Sequence, residues 1–239
     1  MKHLVAGCLL FLVFAVLVAY SNASMEKTQV WVDESLYVTY SFEGINSTVY
    51  QEIKQQSVFN QTSIPQTILS NLEQQQLTHV AFYTAELSFN DSSNSVRVAF
   101  YMSGSDVLSL TINQTTATKI YTMKTSWINF QVKLTPTLLL NFTQYFGKPV
   151  DQWQKINYTD TEKRTHPAYY FDYTGQAPFH HQCYFILPTE ATNVQALGDT
   201  ITFELPPSTG DVLLNSPFTI LGTLIIVIIA LVLYRRVRK

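Results

Sequence analysis

The sequence has little cysteine, which excludes one class of exported domain. Only Cys8 and Cys183 occur among 239 residues, and Cys8 lies in an N-terminal apolar stretch typical of a cleaved leader. Without that leader an intramolecular disulfide is excluded, so the fold must be stabilised by its core. Cys183 is expected to be a buried apolar side chain, with a disulfide between two chains as the alternative.

Charged residues are also scarce, at 13% of the chain, and between residues 25 and 216 ten Lys and Arg face seventeen Asp and Glu. Nucleic acids and anionic lipids are bound through cations that neutralise phosphates, so both are excluded as ligands of this region. A surface of neutral polar groups has few groups that titrate or that salt can screen. Such a composition is typical of an archaeal-like envelope protein.

Catalytic motifs are absent from the sequence: there is no Gly-X-Ser-X-Gly, no His-Glu-X-X-His and no phosphate-binding glycine loop. We therefore predict no catalytic residue and no cofactor, and a binding or structural role is favoured over an enzyme. A membrane-tethered hydrolase is the third alternative, which requires clustered carboxylates or a Ser-His pair in a pocket.

A long apolar run is present near the C-terminus. Residues 218–234 carry no charge and precede Arg235, Arg236, Arg238 and Lys239. As a helix the run spans about 26 Å, close to a bilayer core of about 30 Å. We predict a transmembrane helix over 218–234 and a cytoplasmic tail over 235–239, because cations beside a span stay inside.

The N-terminus agrees with this topology. Lys2 and His3 precede an apolar stretch, and Ser21-Asn-Ala23 offers the small residues of a cleavage site. Residues 1–23 are predicted to be a signal peptide, and the alternative is a second membrane span over residues 4–20. The chain is therefore expected at the cell membrane, with residues 24–205 outside and residues 206–217 as a short Pro-containing stalk.

Glycosylation sequons are in excess. Six of the eleven Asn between residues 25 and 216 begin an Asn-X-Ser/Thr triplet, whereas the Ser and Thr content predicts roughly two by chance. This favours a glycoprotein of an archaeon or a eukaryote, and the alternative is accidental sequons in a polar surface. The predicted sites are Asn46, Asn60, Asn90, Asn113, Asn141 and Asn157.

Alternation of apolar and polar residues dominates residues 24–205 and predicts a mainly β fold, an antiparallel β-sandwich or a curved sheet. Hairpins are predicted around Asp33-Glu-Ser35 and around residues 90–95, and further strands cover 107–112, 119–125, 128–134, 153–159, 168–173, 182–187 and 200–205. Two halves, 25–105 and 106–205, are an alternative division without residue-level repeats.

Two short helices are predicted within this β-rich region. Residues 63–76 begin with Ser63 as a cap and place Ile64, Ile68, Leu69 and Leu72 on one face. Residues 135–146 follow the same design, with Thr135 as the cap, Pro136 at the first helical position and a glycine at the end.

One cluster has the side chains of a metal site. His180, His181 and Cys183, with His166 upstream, combine imidazole and thiolate ligands that suit copper or zinc. The alternative is a strand on which Cys183 packs inward. The aromatic run Tyr169–Tyr173 likewise has two interpretations, stacking on sugar rings or ordinary strand packing.

These features predict a single-pass cell-surface glycoprotein whose external β-rich domain has a binding or structural role in the envelope. Its partners are the membrane, a protein or glycan at the surface, and a partner subunit within the membrane, because a tail of five residues is too short to signal alone. The alternative function is a membrane-tethered metal or redox protein that uses the His180-His181-Cys183 cluster.

The predicted topology can be tested by adding protease to intact cells. Residues 24–216 should be digested while an epitope fused to the C-terminal tail survives, because the bilayer shields the tail. Detection by immunoblot gives the result, and cells permeabilised before digestion provide the control. Digestion of the tail in intact cells contradicts the orientation.

Overall fold

The computed structural model describes residues 24–56, 60, 62–128, 131–133, 139–141, 147–174, 179–210, 222, 225–227 and 234. The predicted signal peptide, residues 1–23, and most of the predicted membrane span, residues 218–234, lie outside this part of the chain. Within it, no helix is long and apolar enough to cross a membrane. The prediction of a span therefore stays a prediction.

Thirteen strands and few short helices form the described chain, so the mainly β prediction is confirmed. The strands are β1 (Ser24–Val32), β2 (Leu36–Glu43), β3 (Ala81–Asn90), β4 (Ser95–Ser103), β5 (Leu108–Ile112), β6 (Lys119–Lys124), β7 (Gln131–Lys133), β8 (Leu139–Asn141), β9 (Gln154–Thr159), β10 (Thr165–Thr174), β11 (Phe179–Ile186), β12 (Thr192–Leu197) and β13 (Thr200–Leu205). The helices are α1 (Ser47–Gln56) and α2 (Ser63–Gln74), with two 3-10 turns at Ser126–Ile128 and Val150–Gln152.

A seven-stranded sheet is the largest unit, with the strand order β3-β4-β2-β1-β11-β10-β9. The predicted hairpins β1–β2 and β3–β4 are confirmed as antiparallel pairs. At its centre, however, β1 pairs with β11 in parallel, from Ser24 opposite Phe179 to Trp31 opposite Ile186. The prediction of a purely antiparallel sheet is wrong there, because a parallel pair between distant segments needs no turn that a local pattern could reveal.

Two smaller sheets complete the β structure. One has the order β12-β13-β6-β5, and the other consists of β7 and β8. The seven-stranded sheet takes strands from both of the ranges 25–105 and 106–205. A division of the chain between those ranges would therefore separate β1 from its partner β11.

The core is one continuous cluster of buried apolar side chains that come from both larger sheets, from helices α1 and α2 and from the two 3-10 turns. Alternate residues of β1 and β2, such as Val30 and Val38, point inward and are fully buried. The four-stranded sheet contributes Tyr121 and Phe203, whose rings stack at 5.2 Å between centroids. Each such burial stabilises the fold by about 1.5–3 kcal/mol, which explains a fold without disulfides.

Helix α2 confirms the prediction for residues 63–76, although it ends two residues earlier. Ile64, Ile68 and Leu72 are buried against the core, whereas Leu69, predicted on the same face, is only partly buried. The cap differs: Asn60 Oδ1 accepts the N–H of Ser63 at 3.0 Å, and Ser63 Oγ accepts the N–H of Asn60 at 2.8 Å. Helix α1 was not predicted, since its buried Tyr50 and Ile53 are too few to give a clear helical period.

The helix predicted over residues 135–146 is wrong where the structure describes it. Leu139–Asn141 forms β8, which pairs antiparallel with Gln131–Lys133; the remaining residues of the range lie outside the described chain. The capping signals at Thr135 and Pro136 are local preferences worth only about 1 kcal/mol. Pairing with a neighbouring strand overrides such preferences. Strand β12 was also missed, because it is an edge strand of the four-stranded sheet whose six residues give only a short alternation, at Val194 and Ala196.

Gly104 joins the end of β4 to β5 and is held in a conformation that other residues rarely adopt. Its φ is +140°, and a Cβ added there would lie 2.0 Å from the carbonyl oxygen of His79. The contacting backbone is itself fixed, because Asp106 Oδ2 accepts the N–H groups of Thr78 and His79 at 2.9 and 2.8 Å. Neither side of this contact can move away.

Gly104→Ala should therefore lower the free energy of unfolding by about 3 kcal/mol or more. Gly147→Ala is the matched control, because no described atom lies within 4 Å of the added carbon, and its effect should stay under about 1 kcal/mol. Urea unfolding followed by tryptophan fluorescence measures both variants. Equal stability of the two variants contradicts the steric argument.

Candidate functional site

The structure does not bring the four candidate metal ligands together. His166 lies near the start of β10 and His180 pairs with Thr174 near its end, so the two lie roughly 25 Å apart along the strands. His180 and His181 point to opposite faces of the sheet, since they are adjacent on a strand. In the described residues, no group of three or more His, Cys, Asp or Glu could hold a metal ion.

His181 is instead part of a buried polar row on the inner face. Its Nδ1 lies 2.8 Å from Glu26 Oε2, and its Nε2 lies 3.2 Å from Thr28 Oγ1. All three side chains are at most 2% exposed, and Glu26 Oε1 accepts no hydrogen bond from the described residues. The arrangement resembles a nucleophile, a base and an orienting carboxylate, but solvent and substrate do not reach it. It links β1 to β11.

Cys183 follows on the same face and is fully buried, as the packing alternative predicted. Burial raises the pKa of its thiol well above the ordinary value. The side chain is therefore a neutral thiol at physiological pH, which is a poor nucleophile and a poor metal ligand.

The outer face of the seven-stranded sheet carries large aromatic side chains. Trp31, Tyr37 and Tyr101 lie side by side on β1, β2 and β4, because Trp31 pairs with Tyr37 and Tyr37 pairs with Tyr101. We name these three residues the aromatic row. The rings of Tyr37 and Tyr101 stack at 4.6 Å, and Tyr101 remains 44% exposed. Trp31 meets the rings of Tyr158 and His166 edge-on, both at 5.5 Å.

A cleft of about 720 Å³ opens above the aromatic row. Besides aromatic rings it offers two guanidinium groups, Arg97 and Arg164, and three carboxyl groups, Asp33, Asp160 and Glu190. The β1–β2 turn closes one side, while the β9–β10 turn and the segment after β11 form the other. Twisted sheets curl across many strands, which makes such a face concave. This cleft is the candidate functional site.

One wall of the cleft is held by Asp160. Its Oδ1 accepts the N–H groups of Glu162 and Arg164 at 2.9 and 2.8 Å, which shapes the β9–β10 turn. Its Oδ2 accepts Arg164 Nε at 2.8 Å and lies 3.2 Å from His166 Nε2. The other ring nitrogen of His166 lies 2.9 Å from the carbonyl oxygen of Leu187. His166 thus joins the two segments that form this wall.

The ionised form of Asp160 is stabilised by these contacts. Burial alone opposes ionisation and is the largest single influence, but the hydrogen bonds from Arg164 and His166 together outweigh it and lower the pKa. The pKa of Glu190 is also lowered, chiefly by a hydrogen bond from the Thr189 hydroxyl. Both groups are acceptors only at neutral pH.

Four of the six sequons share one geometry. In each, the amide oxygen of Asn accepts the backbone N–H two residues later, which forms a turn within the sequon. The pairs are Asn46 with Thr48, Asn60 with Thr62, Asn90 with Ser92 and Asn113 with Thr115, at 2.9–3.0 Å. Asn157 lies exposed on β9, and Asn141 ends β8.

Of the residues that line the cleft, the sequence pointed to His166 alone as a site residue, and it did so as a candidate metal ligand. The aromatic run at 169–173 is split by the strand: Tyr169 is buried on the inner face, whereas Tyr170 faces outward with Tyr184. The signal that could have predicted the cleft is a set of aromatic residues at strand positions that alternate with core residues. Trp31 lies between Val30 and Val32, and Tyr37 between Leu36 and Val38, all four of which are buried.

The comparisons give no relative from which to transfer a function. No family model, no curated protein and no solved structure matches the chain.

Asp160→Asn should destabilise the chain at neutral pH, because the variant keeps one acceptor oxygen for the N–H groups of the turn but loses the charge and the second acceptor that Arg164 Nε faces. Folding lowers the pKa of Asp160, so its ionised carboxylate stabilises the folded chain at pH values above the ordinary pKa of 3.8. This stabilisation is lost progressively as the pH falls below 3.8. The difference in urea midpoint from the natural chain should therefore be smaller at pH 3 than at pH 7 and should shrink further toward pH 2.

Asp91→Asn is the matched control. The pKa of Asp91 is also lowered, chiefly by the hydrogen bond from Lys54, but its side chain is 69% exposed. Solvent screens such a pair, so its midpoint should move less than that of Asp160→Asn at pH 7. Equal shifts at both pH values for Asp160→Asn would show that its charge does not stabilise the wall.

Proposed function

We propose that this chain is a single-pass cell-surface glycoprotein whose external domain, a two-layer β-sandwich, binds a partner in the cleft above the aromatic row. The observation that carries the proposal is the cleft itself, where large aromatic rings lie on the solvent side of a sheet whose opposite side already forms the core. Rings in that position add nothing to the core. Clefts with apolar floors and a few fixed polar groups are the usual form of binding sites.

Binding is better supported than hydrolysis. A glycoside hydrolase needs one carboxylic acid that keeps its proton near neutral pH, and such an acid has a raised pKa. In the cleft, the pKa values of Asp160 and Glu190 are shifted in the opposite direction. Both ring nitrogens of His166 contact protein oxygens, which leaves neither of them to activate a nucleophile.

The metal or redox alternative has weaker support than binding. His181 and Cys183 lie inside the protein, whereas His180 lies on the outer face with its Nε2 against Asp172. A redox partner needs an accessible thiolate, and Cys183 is a buried neutral thiol.

The arrangement of the sequons fits a glycosylated surface domain with a free binding site. Strand β2 carries Tyr37 of the aromatic row and ends at Glu43, and Asn46 follows three residues later. Asn90 ends β3 opposite Ser95 of β4, beside the same end of the sheet. Six residues of a strand, about 20 Å, separate Tyr37 from Glu43 and Tyr101 from Ser95, so glycans at Asn46 and Asn90 would leave the aromatic row open.

Binding at the cleft can be tested with full-length protein in detergent and cell envelopes isolated from the source organism. The natural chain should sediment with the envelopes, and Tyr101→Ala should retain several-fold less protein because it removes an exposed ring of the aromatic row. Leu110→Ala is the matched control, since Leu110 is 49% exposed but lies on β5 in the other sheet.

Glu190→Gln serves as a second cleft variant, because its exposed side chain is not part of the core. Unchanged retention of both Tyr101→Ala and Glu190→Gln rejects the cleft as the binding site. Loss of retention in Leu110→Ala to the same degree would point to the four-stranded sheet instead.

A further inference from the structure

The aromatic row offers a flat, rigid surface of limited length. Its three residues lie on adjacent strands, which are about 4.8 Å apart, so the row extends over about 10 Å. Arg97 donates a hydrogen bond to Tyr37 Oη at 2.8 Å, and Trp31 is held between the edges of two other rings. Little side-chain freedom remains to be lost when a ligand stacks on these rings.

The charges around the row do not favour an anionic ligand. Arg164 already contacts Asp160 at 2.8 Å and Glu162 at 3.2 Å. Arg97 is the other cation that lines the cleft, and the carboxyl groups there outnumber the guanidinium groups by three to two. Phosphate and sulfate groups would meet net negative charge.

The polar groups of the cleft need a ligand that both donates and accepts hydrogen bonds. The exposed carboxylate of Glu190 is ionised and accepts only, whereas the guanidinium groups donate only. A proline-rich peptide also fits grooves lined by aromatic rings, but proline has no N–H to offer to carboxylates. A hydroxyl group does both.

We infer that the cleft holds a short chain of neutral sugars, with the apolar face of a pyranose ring on the aromatic row and its hydroxyls toward Arg97, Asp33 and Glu190. A pyranose combines a flat C–H face with a rim of hydroxyls, which matches both halves of the lining. The cleft volume of about 720 Å³ lies within the range of small-ligand sites and admits an oligosaccharide of a few units. The inference rests on the proposed function and names the ligand class of the same site.

The test uses the full-length chain in detergent and isothermal titration calorimetry. The probes are neutral tetrasaccharides of glucose, mannose, galactose and N-acetylglucosamine, each raised to millimolar concentration. A heparin tetrasaccharide represents anionic sugars, and a decaproline peptide represents proline-rich ligands. At least one neutral tetrasaccharide should bind more tightly than both comparators.

Variants then place the sugar on the row. Tyr101→Ala should weaken binding by about two- to tenfold, the range expected for one stacked ring, and Tyr101→Phe should restore most of it. Leu110→Ala should bind as the natural chain does. Tyr101→Ala is chosen over Trp31→Ala because an exposed ring can be removed without opening the core.

Three results overturn the inference: no binding of any neutral tetrasaccharide, tighter binding of heparin or decaproline, or equal binding by Tyr101→Ala and the natural chain. Envelope binding separates these failures from failure of the proposed function. If envelopes retain the chain after periodate has destroyed their sugars, binding at the surface stands and the sugar class falls. If untreated envelopes do not retain it, the proposed function falls as well.

Discussion

The parallel pairing of β1 with β11 is the constraint on which the rest of the structure depends. It joins the two antiparallel groups of strands into one sheet, and thereby places Trp31 on the same face as Tyr158 and His166. The buried contact between Glu26 and His181, 155 residues apart in sequence, lies directly across this pair. Without the β1–β11 pairing the cleft would have only one of its two walls.

Register matters here because side chains alternate across a strand. A slip of one residue between β1 and β11 would turn one row of side chains to the wrong face. Glu26 and His181 are both buried, and removing either one takes away the closest polar contact of a group that water does not reach. The buried pair therefore favours one register of β1 against β11, because only that register brings the two side chains together. The apolar residues around it supply the stability.

Features that depend on residues close together in the sequence were mostly predicted, whereas features that depend on contacts between distant segments were not. The β1–β2 and β3–β4 hairpins and helix α2 follow from local alternation, turns and caps, and these predictions are confirmed. The β1–β11 pair is a contact between distant segments, and the helix predicted over 135–146 gave way to a strand where a neighbouring strand competed. The cleft was not predicted because its lining comes from five strands and three connecting segments. Only the aromatic residues beside buried valines and leucines hinted at it.

The central position of β1 also governs the order in which the chain can fold. During synthesis β1 and β2 emerge early and can form their hairpin at once, but β11 follows only after about 135 further residues. Until then one edge of β1 has unpaired backbone groups, and such an edge can recruit a foreign strand. Contacts of this sequence separation also slow the final step, because a long loop must close before they are gained. The strand that lies at the centre of the finished sheet is therefore, for part of synthesis, an unpaired edge strand.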